Sequence, residues 1–401
     1  MTIILFDDET RYQLLPFTHT RPIADIRCGI MTMRERWEHF FKQESGSLTE
    51  EYLQEVYPTN ASTDNLFING SVFATQELYE QINSLSAGQQ LLQGDLIIAA
   101  RVDDSALSFN NGIHIDTNIE SIAHQGEITR LKHIWDIFKL NGAAITNDFA
   151  LLTKGRKSQT IPEDVTVRSA DNIFIEEGAN IAAGCIINAT TGPIYIGKNA
   201  EILEGVLMRG PIAVCEHAAL KMGAKIYADT TIGSGCKVGG ENSNVVYFAN
   251  SNKGHDGYLG NAVIGEWCNL GADTNCSNLK NNYDTIKIWD EHNNKSIQTG
   301  ETFCGLLMGD HSKCGINTMF NTGTVVGVSA NIYGGSFPEK FIPSFAWGGS
   351  EGMTSYRLER ALETADRMMA RRKRSLNEKE RKMYQYIFDH TQSQRDTFAN
   401  G

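Results

Sequence analysis

Residues 214–238 read Val214-Cys-Glu-His-Ala-Ala-Leu220-Lys-Met-Gly-Ala-Lys-Ile226-Tyr-Ala-Asp-Thr-Thr-Ile232-Gly-Ser-Gly-Cys-Lys-Val238, with an aliphatic residue at every sixth position. The same spacing links Ile175, Ile181 and Ile187, then Ile196 and Ile202, then Ile264 and Leu270. It links Met308, Cys314, Phe320, Val326 and Ile332 as well. A glycine follows directly at Gly197, Gly233, Gly239, Gly265, Gly271, Gly309, Gly315 and Gly327. Six steps of about 100° turn an α-helix by roughly 240°, which would scatter these side chains around the cylinder. Six is a multiple of two, so in extended chain they all point the same way. A hexapeptide period is the signature of a parallel β-helix, in which each hexad is a short strand and a turn and three hexads close one triangular coil. Each coil buries its apolar edge only against its neighbours in the stack.

The sixes stop between Val245 and Ile264, where Asn250-Ser-Asn-Lys-Gly-His-Asp-Gly-Tyr-Leu-Gly260 reads as a loop. A second gap runs from Leu270 to about Phe303. Insertions of this kind in a repeat array tend to carry function, because the scaffold holds them without needing them.

At 401 residues the chain has room for two or three domains. A net charge of −12 argues against a nucleic-acid partner. No run approaches the ~20 apolar residues of a membrane span, and Met1-Thr-Ile-Ile-Leu-Phe6 reads as a first strand rather than a secretory signal. Seven of the eight cysteines lie in the repeat region and none forms a C-x-x-C pair. They read as small buried hydrophobes in a reducing cytoplasm, and no thiol metal site is indicated.

Residues 1–128 lack the hexad. Strand-like Ile3–Phe6, helix-like Met31–Phe41, strand-like Asn65–Phe73, helix-like Thr75–Leu85 and strand-like Leu91–Val102 suggest an α/β layer architecture. Residues 129–159 read as a helical linker. Its apolar stripe is Leu131, Ile134, Trp135, Ile137, Phe138 and Leu140, and Asn141-Gly142 serves as a helix stop. Residues 160–345 hold the coils. Residues 346–401 read as a helical segment, with Arg371-Arg-Lys-Arg374 on a solvated face, suited to cap the array.

Gly254-His255-Asp-Gly-Tyr258-Leu-Gly260, Ile264-Gly-Glu-Trp-Cys-Asn269-Leu-Gly-Ala272-Asp-Thr274 and Asn278-Leu-Lys280 follow one another. In this order they resemble the acetyltransferase half of the bifunctional N-acetylglucosamine-1-phosphate uridyltransferases. Asn278-Leu-Lys280 and Met308-Gly-Asp-His-Ser-Lys-Cys-Gly-Ile-Asn317 look more like archaeal sugar-1-phosphate nucleotidyltransferase/acetyltransferases, and the two-domain layout also resembles glucose-1-phosphate thymidylyltransferase-like proteins. The likeness covers roughly residues 160–335 and implies a left-handed coil. It implies acetyl transfer from acetyl-CoA to a sugar phosphate or nucleotide sugar, with His255 as the base; a histidine suits proton removal at neutral pH. It further implies that Lys221, Tyr258, Asn269 and Asn278 hold the sugar phosphate and that Ala272 lies by the acyl-CoA. The family trimerises, with sites between subunits, so a homotrimer is expected. Three positions depart from the pattern: Asp273 stands for a glycine, Ser243 for a substrate-binding lysine and Asp310 for a serine at the coenzyme site.

The N-terminal part resembles a shortened, Rossmann-like α/β nucleotidyltransferase domain. The family's glycine-rich phosphate loop is replaced by Asp7-Asp-Glu-Thr-Arg11, so a nucleotide would have to be met by Arg11, Arg21 or Arg27, with Mg²⁺ if the domain is active. The family's metal-binding aspartate has no counterpart in Ile68-Asn-Gly-Ser71. Thr18-His-Thr-Arg-Pro22 is distinctive and has no evident mechanism. The expectation is a cytoplasmic sugar-nucleotide-pathway transferase. The alternatives are a nucleotidyltransferase whose β-helix only oligomerises, and a non-catalytic nucleotide-sugar binder.

Overall fold

The computed structural model describes residues 1–103, 107–108, 114–115 and 119–399. The N-terminal unit is a six-stranded sheet in the order Ser45–Leu48, Thr2–Phe6, Asn65–Asn69, Leu96–Val102, Gln89–Gln93, Glu120–Ala123. The first three strands run parallel, Leu96–Val102 runs against them, and Gln89–Gln93 and Glu120–Ala123 run with the first three again. Thr2–Phe6 is central, so Ile3, Leu5, Ile4 and Phe6 are buried on both faces and read as one apolar run. The helix Met33–Phe41 starts where Thr32 and Glu35 form a capping box, and Gln76–Asn83 starts on the Thr75 hydroxyl.

From Thr166 to Ile342 the chain is a parallel β-helix. Three faces of short strands stack in register, as in Ile194–Ile196 on Ile212–Val214 on Thr230–Ile232. Glu201–Ile202, Ala219–Leu220 and Lys237–Val238 stack on a second face. Two faces merge into one sheet because the long strands Glu241–Tyr247 and Tyr258–Ile264 turn the corner without a break. Every hexad aliphatic named above is buried in one core, each worth about 1.5–3 kcal/mol relative to exposure. Two positions before many of them sits a small buried residue, such as Ala200, Ala218, Ala224, Cys236, Cys268 or Ala330. These fill the tight corners, which accounts for several cysteines; all eight are buried and unpaired.

The structure corrects several expectations. Between Val245 and Ile264 there is no interruption: Tyr247, Lys253 and Leu259, spaced by six, are each 0% exposed and complete a coil. The pattern is hidden in the sequence because a tyrosine and a lysine stand at core positions. Leu131–Trp135 is not helical; helix covers only Asp136–Lys139 and then Asn141–Thr153. The apolar stripe is real, but it plugs the seam against Val246, Phe248, Val263, Leu307 and Val325 of the β-helix. Asn141 starts a helix rather than stopping one. Its buried amide accepts from Gly29 N and donates to Asp229 O, joining the two units.

The C-terminal helices are Leu358–Ala370, Glu378–His390 and Gln392–Ala399; the first two are broken apart at Arg371–Arg374, where Lys373 adopts φ 58°, and the last two at Thr391. They lie along the corner formed by Trp267, Val328 and Phe345 and also touch Leu53, so they do not cap the stack. An antiparallel hairpin, Ala346–Gly349 with Gly352–Ser355, closes the last coil. The second gap is a true insertion: a hairpin of Lys287–Asp290 and Lys295–Gln298 that reaches the N-terminal unit.

Candidate functional site

His255 sits in the turn Gly254–Gly257, between the strands Asn252–Lys253 and Tyr258–Ile264. This turn is one step of a column along a single corner. Gly239 and Gly240 lie below it, through Gly239 N to Lys253 O (2.7 Å) and Glu241 N to Gly257 O (3.1 Å). Gly271–Thr274 lies above it. Gly257 has φ +118°, and a Cβ there would stand 2.2 Å from the Thr274 carbonyl, so only glycine fits. Lys221 is in the column below Gly239, its Cβ 3.2 Å from where a Gly239 Cβ would be. Ala272 is in the turn above, where its carbonyl accepts from Asn317 N at 2.8 Å.

The imidazole of His255 is exposed and has no side-chain partner among the described residues. Tyr258 is half-buried, and its backbone N donates to Asn275 Oδ1 at 2.8 Å. Burial pushes the Tyr258 phenol up, and a hydrogen bond with Asn278 opposes that. Asn278 Nδ2 donates to Asn261 Oδ1 at 2.7 Å. The fold thus brings Lys221, His255, Tyr258, Ala272 and Asn278 to one corner and the face beside it. Asn269 is on the neighbouring face, in an amide ladder with Asn252 at 3.1 Å.

A side chain that sequence reasoning missed lies beneath this corner. Lys253 occupies a core position, between Val238 of the coil below and the Asn269–Leu270 strand above. Its ammonium donates to Gly257 O at 2.8 Å, His255 O at 3.2 Å and Asp256 O at 3.3 Å. The signal is present as a residue six after Tyr247 and six before Leu259, but an apolar template passes over lysine.

A second feature is a cleft of about 1420 Å³ between the N-terminal unit, the inserted hairpin and the C-terminal helices. Arg11, Tyr12 and His19 follow one parallel strand, and Glu50 and Tyr52 follow its neighbour. The cleft thus opens at the carboxyl ends of parallel strands, where ligands of open α/β sheets bind. Trp289, Glu291, His292 and Tyr386 form the other walls, and His255 does not line it. Two stacked pairs pin the walls together: Tyr12 on His292 at 4.4 Å and Tyr52 on Tyr386 at 4.1 Å.

Of the three arginines expected to meet a nucleotide, only Arg11 lines this cleft, and it too is 4% exposed, with its guanidinium paired to Asp7 (2.6 Å) and Glu50 (3.5 Å). Arg21 is 4% exposed and pairs with Glu266 (2.8 Å) and Asp310 while lying over the Phe248 ring. Arg27 is buried and donates to Ile30 O and to Glu35. The assignment of Arg21 and Arg27 to phosphate is therefore corrected; their charges are used in holding the chain together. Thr18-His-Thr-Arg-Pro22 is the docking strap. His19 Nε2 meets Glu291 Oε1 at 2.8 Å, and Thr20 Oγ1 donates to Asp310 Oδ2 at 2.7 Å. This explains Asp310 at the family's serine position: its other oxygen accepts from Glu266 N at 2.7 Å, so it serves the seam.

Mg²⁺ does not fit the residues after the first strand. Asp7 accepts from Arg11 and Thr49 (2.6 Å each) and from Ile23 N (2.8 Å). Burial pushes its carboxyl up against the pull of Arg11. Asp8 is taken by Thr10 N and Asn69 Nδ2, both at 2.9 Å. Among the described residues no group of three or more His, Cys, Asp or Glu could hold a metal.

A family model described as sugar nucleotidyl transferase matches residues 3–157. The chain is 29% identical over 148 residues to the bifunctional protein GlmU of Trichodesmium erythraeum, covering 36% of this chain and 27% of that protein. It is 28% identical over 222 residues to the bifunctional sugar-1-phosphate nucleotidylyltransferase/acetyltransferase of Sulfurisphaera tokodaii, covering 55% and 48%. It is 25% identical over 171 residues to the putative uncharacterized acetyltransferase YaiX of Escherichia coli, covering 42% and 74%. The chain spans less than half the length of the bifunctional relatives it matches. Among solved structures, the polySia-specific acetyltransferase NeuO aligns with a TM-score of 0.28 at 16% identity, covering 52% of this chain and 96% of that one. Residues 3–157 thus match a sugar nucleotidyl transferase model, and the β-helix that follows them lies in a chain that is similar, over part of its length, to GlmU-like bifunctional sugar-1-phosphate nucleotidyltransferase/acetyltransferases.

Proposed function

We propose that the β-helix transfers an acetyl group from acetyl-CoA to a sugar phosphate or nucleotide sugar, with His255 as the base. The observation that carries this reading is the exposed imidazole on a rigid turn, with Tyr258 and Asn278 on the adjoining face and Ala272 one turn above. His255 takes the proton from the acceptor's amine or hydroxyl as its lone pair attacks the thioester carbonyl. The new C–N or C–O bond forms, the C–S bond breaks, and the imidazolium returns the proton to the departing thiolate. No covalent enzyme intermediate is needed. Lys221 and Asn269 supply further donors for the acceptor's phosphate.

In one chain the imidazole stands at an outer corner. Exposed Met222 (68%) and Ile316 (71%) lie in turns of the same column, a surface suited to burial by another copy. We therefore place the complete site between subunits of a homotrimer. No helix among the described residues is long and apolar enough to cross a membrane, and the unpaired cysteines suit a cytoplasmic protein. The cleft at the carboxyl ends of the parallel strands favours a second reading for the N-terminal unit: a nucleotide-sugar site in this cleft that binds without nucleotidyl transfer, since no glycine loop follows the first strand and no metal-ligand group stands among the described residues.

The test is a screen of amino-sugar and sugar phosphates with acetyl-CoA, reading free thiol, with His255→Ala beside the natural protein. Loss of thiol release with the β-helix intact supports acyl transfer; unchanged turnover removes the assignment. Pyrophosphate release from a nucleoside triphosphate and a sugar 1-phosphate would restore an active N-terminal unit.

A further inference from the structure

We infer that Lys253 is a positioning residue: its ammonium, set inside the β-helix, holds the turn that carries His255. This inference rests on the reading of His255 as the base. An apolar side chain would serve packing better at this place, because its row in the core is otherwise aliphatic or cysteine: Leu220, Val238, Leu270 and Cys314. Lys253 is 0% exposed and is in no salt bridge among the described residues, although Asp256 and Asp273 lie near enough to attract its charge. A buried charge without a salt-bridge partner is costly and persists where its hydrogen bonds do something else. Here all three ammonium donors end on consecutive carbonyls, those of His255, Asp256 and Gly257, at 2.8–3.3 Å.

Those three bonds fix the peptide planes on both sides of Asp256 and so the direction in which the His255 Cα–Cβ bond leaves the corner. The coil below is shaped to allow it. A Cβ on Gly240 would stand 3.0 Å from the Lys253 Nζ and 2.6 Å from Gly257 O. The turn has little else to hold it: the Gly257 carbonyl also accepts from Glu241 N, and the Tyr258 amide reaches the Asn275 side chain. Preorganising a base within a fraction of an ångström is what separates a productive from an idle geometry.

The experiment compares the full chain with Lys253→Met, which fills the core position with a flexible apolar side chain, and with Lys253→Arg, which keeps a donor set. Hydrogen–deuterium exchange is followed at peptides reporting Glu241 and Tyr258, with peptides over 212–232 as the internal control. Lys253→Met is expected to speed exchange at the two reporters at least tenfold and leave the control unchanged. It should lower kcat for coenzyme A release at least tenfold with KM within twofold, and Lys253→Arg should fall between. Unchanged exchange at the reporters overturns the inference, and so does faster exchange throughout the β-helix, which would make Lys253 a packing residue. If His255→Ala keeps full activity the catalytic reading fails by itself, while the exchange comparison still decides what Lys253 holds.

Discussion

Replacing Asp310 by asparagine tests how the two halves are joined. Asp310 and Arg21 are each 4% exposed, and the carboxylate also serves Thr20 Oγ1 and Glu266 N. The amide side chain would keep the shape and one acceptor but remove the negative charge, leaving the Arg21 guanidinium with Glu266 alone, whose side chain is 29% exposed. Removing one partner of a buried pair costs about 3–5 kcal/mol, chiefly because the other charge stays behind. Glu266 relieves part of that, so a loss of about 3 kcal/mol is expected. Arg21→Met should lose a comparable amount, and the double variant should be more stable than the sum of the single losses predicts, by at least about 1.5 kcal/mol. Urea unfolding, followed by tryptophan fluorescence and circular dichroism with coincident transitions, measures this. A loss below about 1 kcal/mol for Asp310→Asn, or strictly additive losses, would refute the claim that the strap docks through this charge pair.

His255→Ala should lower kcat for coenzyme A release by about 10²–10⁴-fold, with the oligomer unchanged by light scattering. Phe320→Ala, at a core position 1% exposed, should cost about 3–5 kcal/mol in urea unfolding. Burial pushes the thiols of Cys28, Cys236 and Cys304 up to about 12, so they stay protonated at pH 8; a disulfide reagent should find few reactive thiols in the native protein and eight in urea. Burial lowers Lys253 from 10.5 to about 8, with Asp256 the leading opposing charge, and it lowers Lys313 to about 8 as well. Between those values the unfolded chain binds more protons than the folded one, so stability should rise with pH across that window. Lys253→Met should remove about half of that rise; an identical pH profile would count against assigning the window to Lys253.

The β-helix is legible from the chain alone because its core is made of one residue type at one period. A strand points alternate side chains inward, so the row from Ile175 to Ile332 states its own geometry wherever the apolar template holds. The template breaks at Tyr247 and Lys253, where polar groups enter the core, and there a coil reads as a loop. The strands and helices of the N-terminal unit are legible for the same local reasons, down to the Thr32 capping box.

What only the tertiary structure decided is the use of the charges. Arg11, Arg21 and Arg27 look alike in sequence, each in a polar stretch near the first strand. Which of them faces a cleft depends on partners at Thr49, Asp310 and Cys215, far along the chain. Likewise the stripe from Leu131 to Phe138 announces a buried face, but the surface it meets belongs to strands beyond Val246. Periodicity encodes contacts between repeating neighbours, whereas a single contact across hundreds of residues leaves no period to read.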